Sequence, residues 1–332
     1  MSIGYLNFDE SKPRDAVAFG RATIDLYANE IGPMEDAVSF SKYVGGSPAN
    51  TAIAMAKLGL NVGYIGKVSD DQFGRFIVQH MHKSGIDVSR IKTAAPGIRS
   101  GVTMGEIRKD SCSCFMYRGG CADLHIECSE MDEEYIASHK LLLISGTSLS
   151  HSPAREAVFL AIEYAKRNNV IVSFDLDYRD GTWDSAEEAS IYYTLAARQA
   201  DMVLGTREEF DVMEHCFHPG NKDDRQSARW LLDAGVSLVS IKQGKKGSIV
   251  LTPDKTYVGG IYPADVLKTF GAGDSYSSAF TYALINGRDI DEALKYAAAA
   301  SSITISGHSC SDAMPTLEAL EQYMKENQYI NM

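Results

Sequence analysis

Residues 268–280, KTFGAGDSYSSAF, place two glycines and a carboxylate at the start of a run that predicts a helix. The first turn of a helix presents unpaired N–H groups and a partial positive charge, which favour an anion such as phosphate. One interpretation is a tight loop in which Asp274 only caps the helix. The other is phosphoryl transfer, in which the amides of Gly271, Ala272 and Gly273 stabilise the transferred phosphate while Asp274 orients the attacking hydroxyl and accepts its proton.

A helix N-terminus lowers the pKa of a nearby carboxylate. We therefore expect Asp274 to be a weak base that positions the nucleophile and takes the proton late. Other phosphate-binding motifs do not fit, because NVGYIGKV (61–68) lacks the first glycine and the hydroxyl residue of a P-loop. The chain also has no H-R-D loop and no G-x-G-x-x-G, so a P-loop enzyme and a protein kinase are excluded.

A second candidate site lies in VGGSPANTAIAMAKLG (44–59) and in the earlier segment GRATIDLY (20–27). Gly45 and Gly46 allow the backbone to approach a ligand closely, and Asn50 offers a donor and an acceptor to a hydroxyl. Asp25, which we place at the end of the first strand, is able to accept hydrogen bonds from two vicinal hydroxyls. The alternative for each segment is a simple turn between elements.

The elements that must position these residues alternate along the chain. Apolar strands such as AVAFG (16–20), KLLLISG (140–146) and VIVSFDLD (170–177) are separated by amphipathic helices, which predicts an α/β fold with a mostly parallel sheet covered on both faces. The segments 31–44 and about 98–120 instead read as strands and turns, and we interpret them as a small antiparallel sheet that forms a lid. We expect one domain at 14–330, with 1–13 as an N-terminal extension.

Composition limits the partners. The net charge of −12 opposes binding to nucleic acid or to a membrane through an extended surface. The N-terminus lacks a signal-peptide pattern, and no apolar run approaches the roughly 20 residues of a spanning helix. The six cysteines have no C-x-x-C spacing and are expected to be reduced. We expect a soluble, cytoplasmic protein whose partners are small molecules.

Three motifs together carry a family resemblance: GGSPANTAIAMAKLG, GKVSDDQFG and TFGAGDSYSSAF, in this order and spread over nearly the whole chain. They resemble the signatures of the ribokinase-like (PfkB) carbohydrate kinases. The resemblance implies a ribokinase-like α/β fold with a β-sheet lid, ATP and Mg²⁺, and transfer of the γ-phosphate to a sugar hydroxyl. By matching position it makes Asp274 the catalytic base, Gly271 to Gly273 the anion hole, and Asp25, Gly46 and Asn50 sugar contacts.

The same resemblance extends to the nucleotide. SIKQGKKGSIV (240–250) is similar to the family's strand and glycine turn beside ATP, with Lys242, Gly244 and Gly247 as the expected contacts. GTREEF (205–210) resembles the N-x-x-E motif involved in Mg²⁺ and phosphate binding. The resemblance places Glu208 at the motif's glutamate, with an indirect role toward Mg²⁺, although Gly205 replaces the asparagine.

Lys268 departs from the family, which commonly has an aspartate at this position. The substitution puts in doubt the monovalent-cation site that some members possess. We expect Lys268 to offset phosphate charge that a cation handles elsewhere in the family.

Charge indicates the kind of substrate. FMYRGG places Tyr117 and Arg118 on a lid strand, and FDLDYRDGTW places Asp175, Asp177 and Arg179 at and just beyond the carboxyl end of a sheet strand, where ligands of such sheets bind. Two guanidinium groups near one pocket predict a carboxylate on the substrate. The alternative is that Arg118 is a solvated lid residue and Arg179 a phosphate clamp or an ion-pair partner of Asp175.

Four segments, GRATIDLY, YRGGCADL, FDLDYRDGTW and GTREEF, carry a narrower resemblance. They are most similar to the family members that act on 5-dehydro-2-deoxygluconate in myo-inositol breakdown. Kinases of 2-keto-3-deoxygluconate are next. A neutral-sugar kinase, such as one for fructose, and a sugar-acid-binding regulator without activity stay open as alternatives. An exposed edge of the lid sheet also predicts a possible homodimer.

Overall fold

The computed structural model describes residues 2–3, 6–108 and 112–332. The strands in these ranges are β1 (Ser2–Ile3), β2 (Leu6–Asn7), β3 (Arg14–Phe19), β4 (Thr23–Ile31), β5 (Phe40–Gly45), β6 (Val62–Val68), β7 (Asp87–Thr93), β8 (Val102–Ile107), β9 (Cys112–Tyr117), β10 (His139–Ser145), β11 (Ile171–Asp175), β12 (Met202–Thr206), β13 (Leu238–Lys242), β14 (Ser248–Leu251) and β15 (Thr256–Gly259). The α-helices are α1 (Ser47–Lys57), α2 (Gln72–Lys83), α3 (Glu133–Ala137), α4 (Ala154–Arg167), α5 (Ala186–Ala197), α6 (Arg207–Glu214), α7 (Asp224–Asp233), α8 (Ala272–Ile285), α9 (Ile290–Ile305) and α10 (Leu317–Glu326). Short 3₁₀ turns occur at Met34–Asp36, Ala122–His125, Cys128–Glu130, Gly146–Leu149 and Gly244–Lys246.

The central sheet has the strand order β15-β14-β13-β12-β11-β10-β3-β6-β7. Its strands are parallel from β13 to β7, and the β13–β14 and β14–β15 pairs are antiparallel. The α/β prediction with a mostly parallel sheet is therefore confirmed.

Strand β10 shows why helices cover both faces of this sheet. Its side chains alternate in direction, so Leu141 and Leu143 pack into the core that includes helices α1, α8 and α9, while Leu142 and Ile144 pack into the core that includes α4 to α7. All four leucine and isoleucine side chains are buried, which explains the continuous apolar run that the sequence shows there.

The chain order reverses between β3 and β10, which are neighbours in the sheet. From β3 the chain proceeds outward through β6 and β7, and from β10 it proceeds outward in the opposite direction through β11, β12 and β13. The carboxyl ends of β3 and β10 thus form a topological switch point, the position at which open α/β sheets bind their ligands.

The small second sheet has the order β5-β4-β8-β9. Its β4–β5 and β8–β9 pairs are antiparallel, but β4 and β8 are parallel, so the expectation of a wholly antiparallel sheet is wrong. The physical reason is the connection: β6, α2 and β7 of the main fold intervene between β5 and β8, and a long crossover permits parallel pairing.

Residues 20–27 also differ from the expectation. The first strand of the central sheet ends at Phe19, and after Gly20 (φ 139°) the chain enters the small sheet as β4, so Asp25 lies on that sheet. Of the segment 98–120 expected in the lid, residues 109–111 lie outside the described residues, as do 1, 4 and 5 of the N-terminal extension. Leu6 and Phe8 of the extension pack into the core. Over the described ranges, every helix falls short of the length and apolar character needed to cross a bilayer.

Candidate active site

A cavity of ≈ 340 Å³ lies at the carboxyl ends of β11, β12 and β13, against the small sheet. Helices α1 and α8 begin at its wall. Asp274, Gly271, Gly273, Asp25 and four further predicted site residues line it: Gly46, Asn50, Asp175 and Arg179. Lys242 lines it as well. The structure thus brings together most of the residues that the sequence singled out over 250 positions.

The two helices that start at the cavity are capped differently from their neighbours. Gly46 caps α1 (φ 94°) and Gly271 caps α8 (φ 80°), in both cases without a side-chain hydrogen bond among the described residues. By contrast, the side chains of Asp71 and Thr206 cap α2 and α6. The first-turn amides of α8 therefore stay available to an anion. A Cβ at Gly271 would also lie 3.1 Å from Cys310 Sγ, so a side chain there is both strained by the positive φ and tightly packed.

Asp274 is the third residue of α8 and is only 8 % exposed. Asn50 Nδ2 donates a hydrogen bond to Asp274 Oδ2 at 2.9 Å. Burial, together with the nearby Asp177 carboxylate, raises the pKa of Asp274 to about 6. The expectation of a lowered pKa is therefore wrong, because the loss of hydration outweighs the field of the helix N-terminus. Asp274 is a stronger base than the sequence argument indicated.

A lysine stands beside the start of α8. Lys242 Nζ lies 3.3 Å from both carboxylate oxygens of Asp175, and Ser277 Oγ donates to Asp175 Oδ2 at 2.5 Å. The ammonium is also 3.4 Å from where a Cβ on Gly273 would stand. Burial lowers the pKa of Lys242, but the surrounding carboxylates, Asp175 first among them, raise it above its ordinary value. A permanent positive charge thus faces the amides of the expected anion hole.

The structure corrects the position of the acidic residue on α6. Glu208 is exposed, whereas the next residue, Glu209, lines the cavity. Thr206 and Glu209 form a capping box at the helix start, with Thr206 N donating to Glu209 Oε2 at 2.7 Å. The capping geometry fixes the direction of Glu209, and Glu208, about 100° further round the helix, points to solvent. Burial raises the pKa of Glu209.

Gly244 and Gly247 lie in the turn that joins β13 to β14, beyond Lys242 and outside the cavity wall. Both have positive φ (59° and 78°), and a Cβ on Gly247 would lie 2.0 Å from Gly259 O. The turn itself therefore requires these glycines, and contact with a nucleotide stays a prediction for them.

The wall that the sequence predicts to face the sugar is built around Asp25. Tyr27 Oη donates to Asp25 Oδ2 at 2.7 Å, and Thr23 Oγ1 donates to Asp25 Oδ1 at 3.3 Å. Burial raises the pKa of Asp25. A Cβ on Gly45 would lie 1.9 Å from Asp25 Oδ1, so Gly45 is needed for the carboxylate to occupy its place. Gly45 therefore contributes to this wall by lacking a side chain, which leaves space for the carboxylate of Asp25.

Two expected lid contacts do not reach the cavity. Tyr117 is 69 % exposed because Cys114 and Met116, on the alternate face of β9, are the residues that line the cavity. Arg118 is buried, and its Nη2 pairs with Asp123 Oδ2 at 2.5 Å and donates to Thr147 O at 2.9 Å. Arg118 is thus held by protein groups, and neither the substrate role nor the alternative of a solvated residue fits it.

The arginine that sequence reasoning missed is Arg21. It follows β3 at the switch point, lines the cavity and is 3 % exposed. Its Nη2 lies 3.8 Å from Asp177 Oδ2, whereas Arg179 Nη2 lies 2.7 Å from Asp177 Oδ1. The available signal was its position directly after the first strand, at the edge where ligands bind.

Lys268 lies beneath the loop that leads into α8 and is fully buried. Its Nζ donates to Phe270 O at 2.6 Å and to Thr304 O, in the last turn of α9, at 3.3 Å. Burial lowers the pKa of this ammonium. Two backbone carbonyls hold the charge, as they would hold a small cation.

A mostly parallel sheet with a small second sheet, a buried carboxylate and a helix start without a side-chain cap fit a carbohydrate kinase of the ribokinase-like fold. The family described as pfkB family carbohydrate kinase matches residues 13–317, and the chain belongs to this family.

Among curated relatives, the chain is similar to the 5-dehydro-2-deoxygluconokinases of Geobacillus thermodenitrificans (55 % identity, 97 % of this chain and 96 % of that protein) and Geobacillus kaustophilus (53 %, 98 % of each). Among solved structures, it is similar to a putative ribokinase II from E. coli in complex with ATP and Mg²⁺ (TM-score 0.85, 21 % identity, 94 % of this chain and 99 % of that chain).

Proposed function

We propose that this carbohydrate kinase transfers the γ-phosphate of ATP, with Mg²⁺, to the primary hydroxyl of 5-dehydro-2-deoxygluconate, giving the 6-phosphate. One observation carries the chemistry: the carboxylate of Asp274, with its pKa raised to about 6, lies at the start of α8, which has no side-chain cap, inside the cavity at the carboxyl ends of the sheet strands. The relatives at 53 % and 55 % identity support this sugar acid over a neutral sugar.

The proposed reaction uses groups at fixed positions. The substrate hydroxyl donates a hydrogen bond to Asp274, and Asn50 holds that carboxylate in place. The hydroxyl oxygen attacks the γ-phosphorus, its proton passes to Asp274, and the bond from the phosphorus to the bridging oxygen of ADP breaks. The amides of Gly271, Ala272 and Gly273, together with Lys242, stabilise the charge on the transferred phosphoryl group. Most of the barrier lowering comes from this positioning.

The residues present fit Mg²⁺ held mainly through phosphate and water. Among the described residues no group of three or more potential ligands forms a metal cage. Mg²⁺ is usually bound by one or two carboxylates plus substrate phosphates, and Asp175 and Glu209 offer such oxygens on the cavity wall. When bound, the ion neutralises phosphate charge. We assign this role to Glu209 instead of Glu208.

The test is ADP release by the purified protein with a panel of sugars and sugar acids. We expect turnover that requires ATP, Mg²⁺ and 5-dehydro-2-deoxygluconate, with lower kcat/KM for 2-keto-3-deoxygluconate and for fructose. ADP release that depends on added sugar excludes the non-catalytic regulator. Preference for fructose would instead favour the neutral-sugar kinase.

Two further expectations accompany this function. Strand β9 forms an edge of the small sheet and exposes Phe115 and Tyr117, whose rings are 5.6 Å apart, and we propose this edge as a homodimer contact. Light scattering of Phe115→Lys beside the unchanged protein tests it. A need for ATP supports the cytoplasmic location.

A further inference from the structure

Arg21 carries donors that the protein leaves unused. Its side chain is 3 % exposed, yet its Nε has no hydrogen-bond partner among the described residues. Nη1 donates only to Met116 Sδ, at 3.1 Å. A thioether is a weak acceptor, and a buried guanidinium without good acceptors is costly. The guanidinium of Arg21 therefore lacks a strong hydrogen-bond acceptor, and a bound ligand is able to supply one.

The nearest carboxylate does not fill this need. Asp177 is already ion-paired with Arg179 at 2.7 Å, and its Oδ2 accepts from Ser145 Oγ at 2.7 Å and from Thr147 Oγ1 at 3.2 Å. Arg21 reaches it only at 3.8 Å, outside hydrogen-bond range. Asp177 thus gives Arg21 partial charge balance and leaves its donors free.

The other cations near the cavity are engaged. Lys242 pairs with Asp175 beside the start of α8, and Arg118 pairs with Asp123 behind the cavity wall. Arg179 pairs with Asp177 and also donates from Nη1 to Tyr178 O at 2.8 Å. Among these groups, Arg21 has the fewest strong acceptors.

We propose that Arg21 forms the subsite for the carboxylate of the sugar acid and thereby determines the preference for an acid over a neutral sugar. This inference rests on the proposed function. The incoming carboxylate accepts from two guanidinium donors on one edge, either from Nε and Nη2 or from Nη1 and Nη2 in place of Met116 Sδ. Because the described residues offer these donors no good acceptor, an uncharged substrate leaves the buried donors underused.

The test compares 5-dehydro-2-deoxygluconate with its carboxamide, which has nearly the same shape without the charge. We expect Arg21→Met to lower kcat/KM for the acid by roughly 100-fold, mainly through KM, as fits the loss of charge-assisted hydrogen bonds. The carboxamide should change by less than about threefold, so the preference for the acid disappears. Arg21→Lys, which keeps the charge without the fork, should recover part of the loss.

Arg99→Met is the matched control, because the Arg99 side chain is 67 % exposed and lies outside the cavity. A thermal melt and the Kd for ATP show whether each variant is folded. Equal losses of kcat/KM for the acid and the carboxamide, or no loss for the acid, would overturn the subsite.

Failure of the proposed function is recognised separately. If the unchanged protein does not turn over the acid, that function is wrong, and the subsite is tested by ligand-induced thermal stabilisation. In that case the acid should stabilise the unchanged protein but not Arg21→Met. Equal stabilisation of both proteins, or stabilisation of neither, would contradict the inference.

Discussion

The two ends of the cavity differ in how their charges are balanced. At the proposed phosphate end, around the start of α8, Lys242 is paired with Asp175, and Ser277 fixes that carboxylate. At the proposed sugar end, around Asp25, Arg21 and Asn50, Arg21 Nε and Asn50 Oδ1 have no partner within the described part of the chain. The phosphate end is thus organised by protein contacts in advance, whereas the sugar end leaves specific donors and acceptors for its ligand.

The largest expected effect comes from Asp274→Asn at the phosphate end. Removal of a general base typically costs 10²–10⁴ in rate, and we expect kcat to fall by about 10³-fold or more with the Kd for ATP nearly unchanged. In the unchanged protein, kcat/KM should rise with pH as the carboxylate ionises around its pKa of about 6. Steady-state kinetics from pH 5 to 8 measure both. Near-normal turnover of the variant would remove Asp274 from the chemistry.

At the sugar end, Gly45→Ala should act on the substrate alone. The added methyl would lie 1.9 Å from Asp25 Oδ1 and would displace that carboxylate. We expect KM for the sugar acid to rise by roughly 10- to 100-fold, consistent with lost hydrogen bonds to a charged group, while KM for ATP changes little. The control is Gly32→Ala, where a Cβ meets nothing within 4 Å. A matching rise in KM for ATP would show that the two ends are not independent.

A smaller effect is expected at Lys268, whose buried ammonium donates to the loop that leads into α8. Because its ammonium is held by Phe270 O and Thr304 O, we expect activity of the unchanged protein to be independent of K⁺. Lys268→Ala should lose about tenfold in kcat, the scale of lost charged hydrogen bonds. Added K⁺ or NH₄⁺ should restore part of it, with choline chloride as the ionic-strength control.

Steep activation of the unchanged protein by K⁺ would contradict the idea that Lys268 replaces a cation. Failure of both ions to rescue Lys268→Ala would mean that the side chain has a packing role instead.

The sequence predicted the start of α8 better than the residues whose placement depends on strand register, on helix direction or on distant partners. Asp274 and the glycines around it are contiguous, so the local rule for a helix start places them without knowledge of the fold. Tyr117 depended on the register of a strand, where a shift of one residue reverses the direction of the side chain. The prediction for Glu208 depended in the same way on the direction of a helix residue: successive side chains differ by about 100°, and Glu209 is the one that lines the cavity. The positions of the Arg118 and Arg21 side chains depend on partners far along the chain, Thr147 and Met116 respectively. No local sequence pattern reveals such contacts.

The smallest effect is a gain in stability that accompanies the loss of activity in Asp274→Asn. Because the pKa of Asp274 is raised from 3.8 to about 6, the folded protein binds this proton more tightly than the unfolded chain, and stability is lost as pH rises through this window. The difference corresponds to at most roughly 3 kcal/mol, and we expect the variant to be more stable by about 2 kcal/mol at pH 7.5.

At pH 4 the two proteins should unfold with nearly equal free energies, since Asp274 is then largely protonated in the folded protein. Urea denaturation at both pH values measures this difference. A gap that persists at pH 4 would assign the gain to packing of the amide. A gap that opens between about pH 4 and pH 6 and stays constant above that range would show that the folded protein keeps Asp274 charged at a cost in stability.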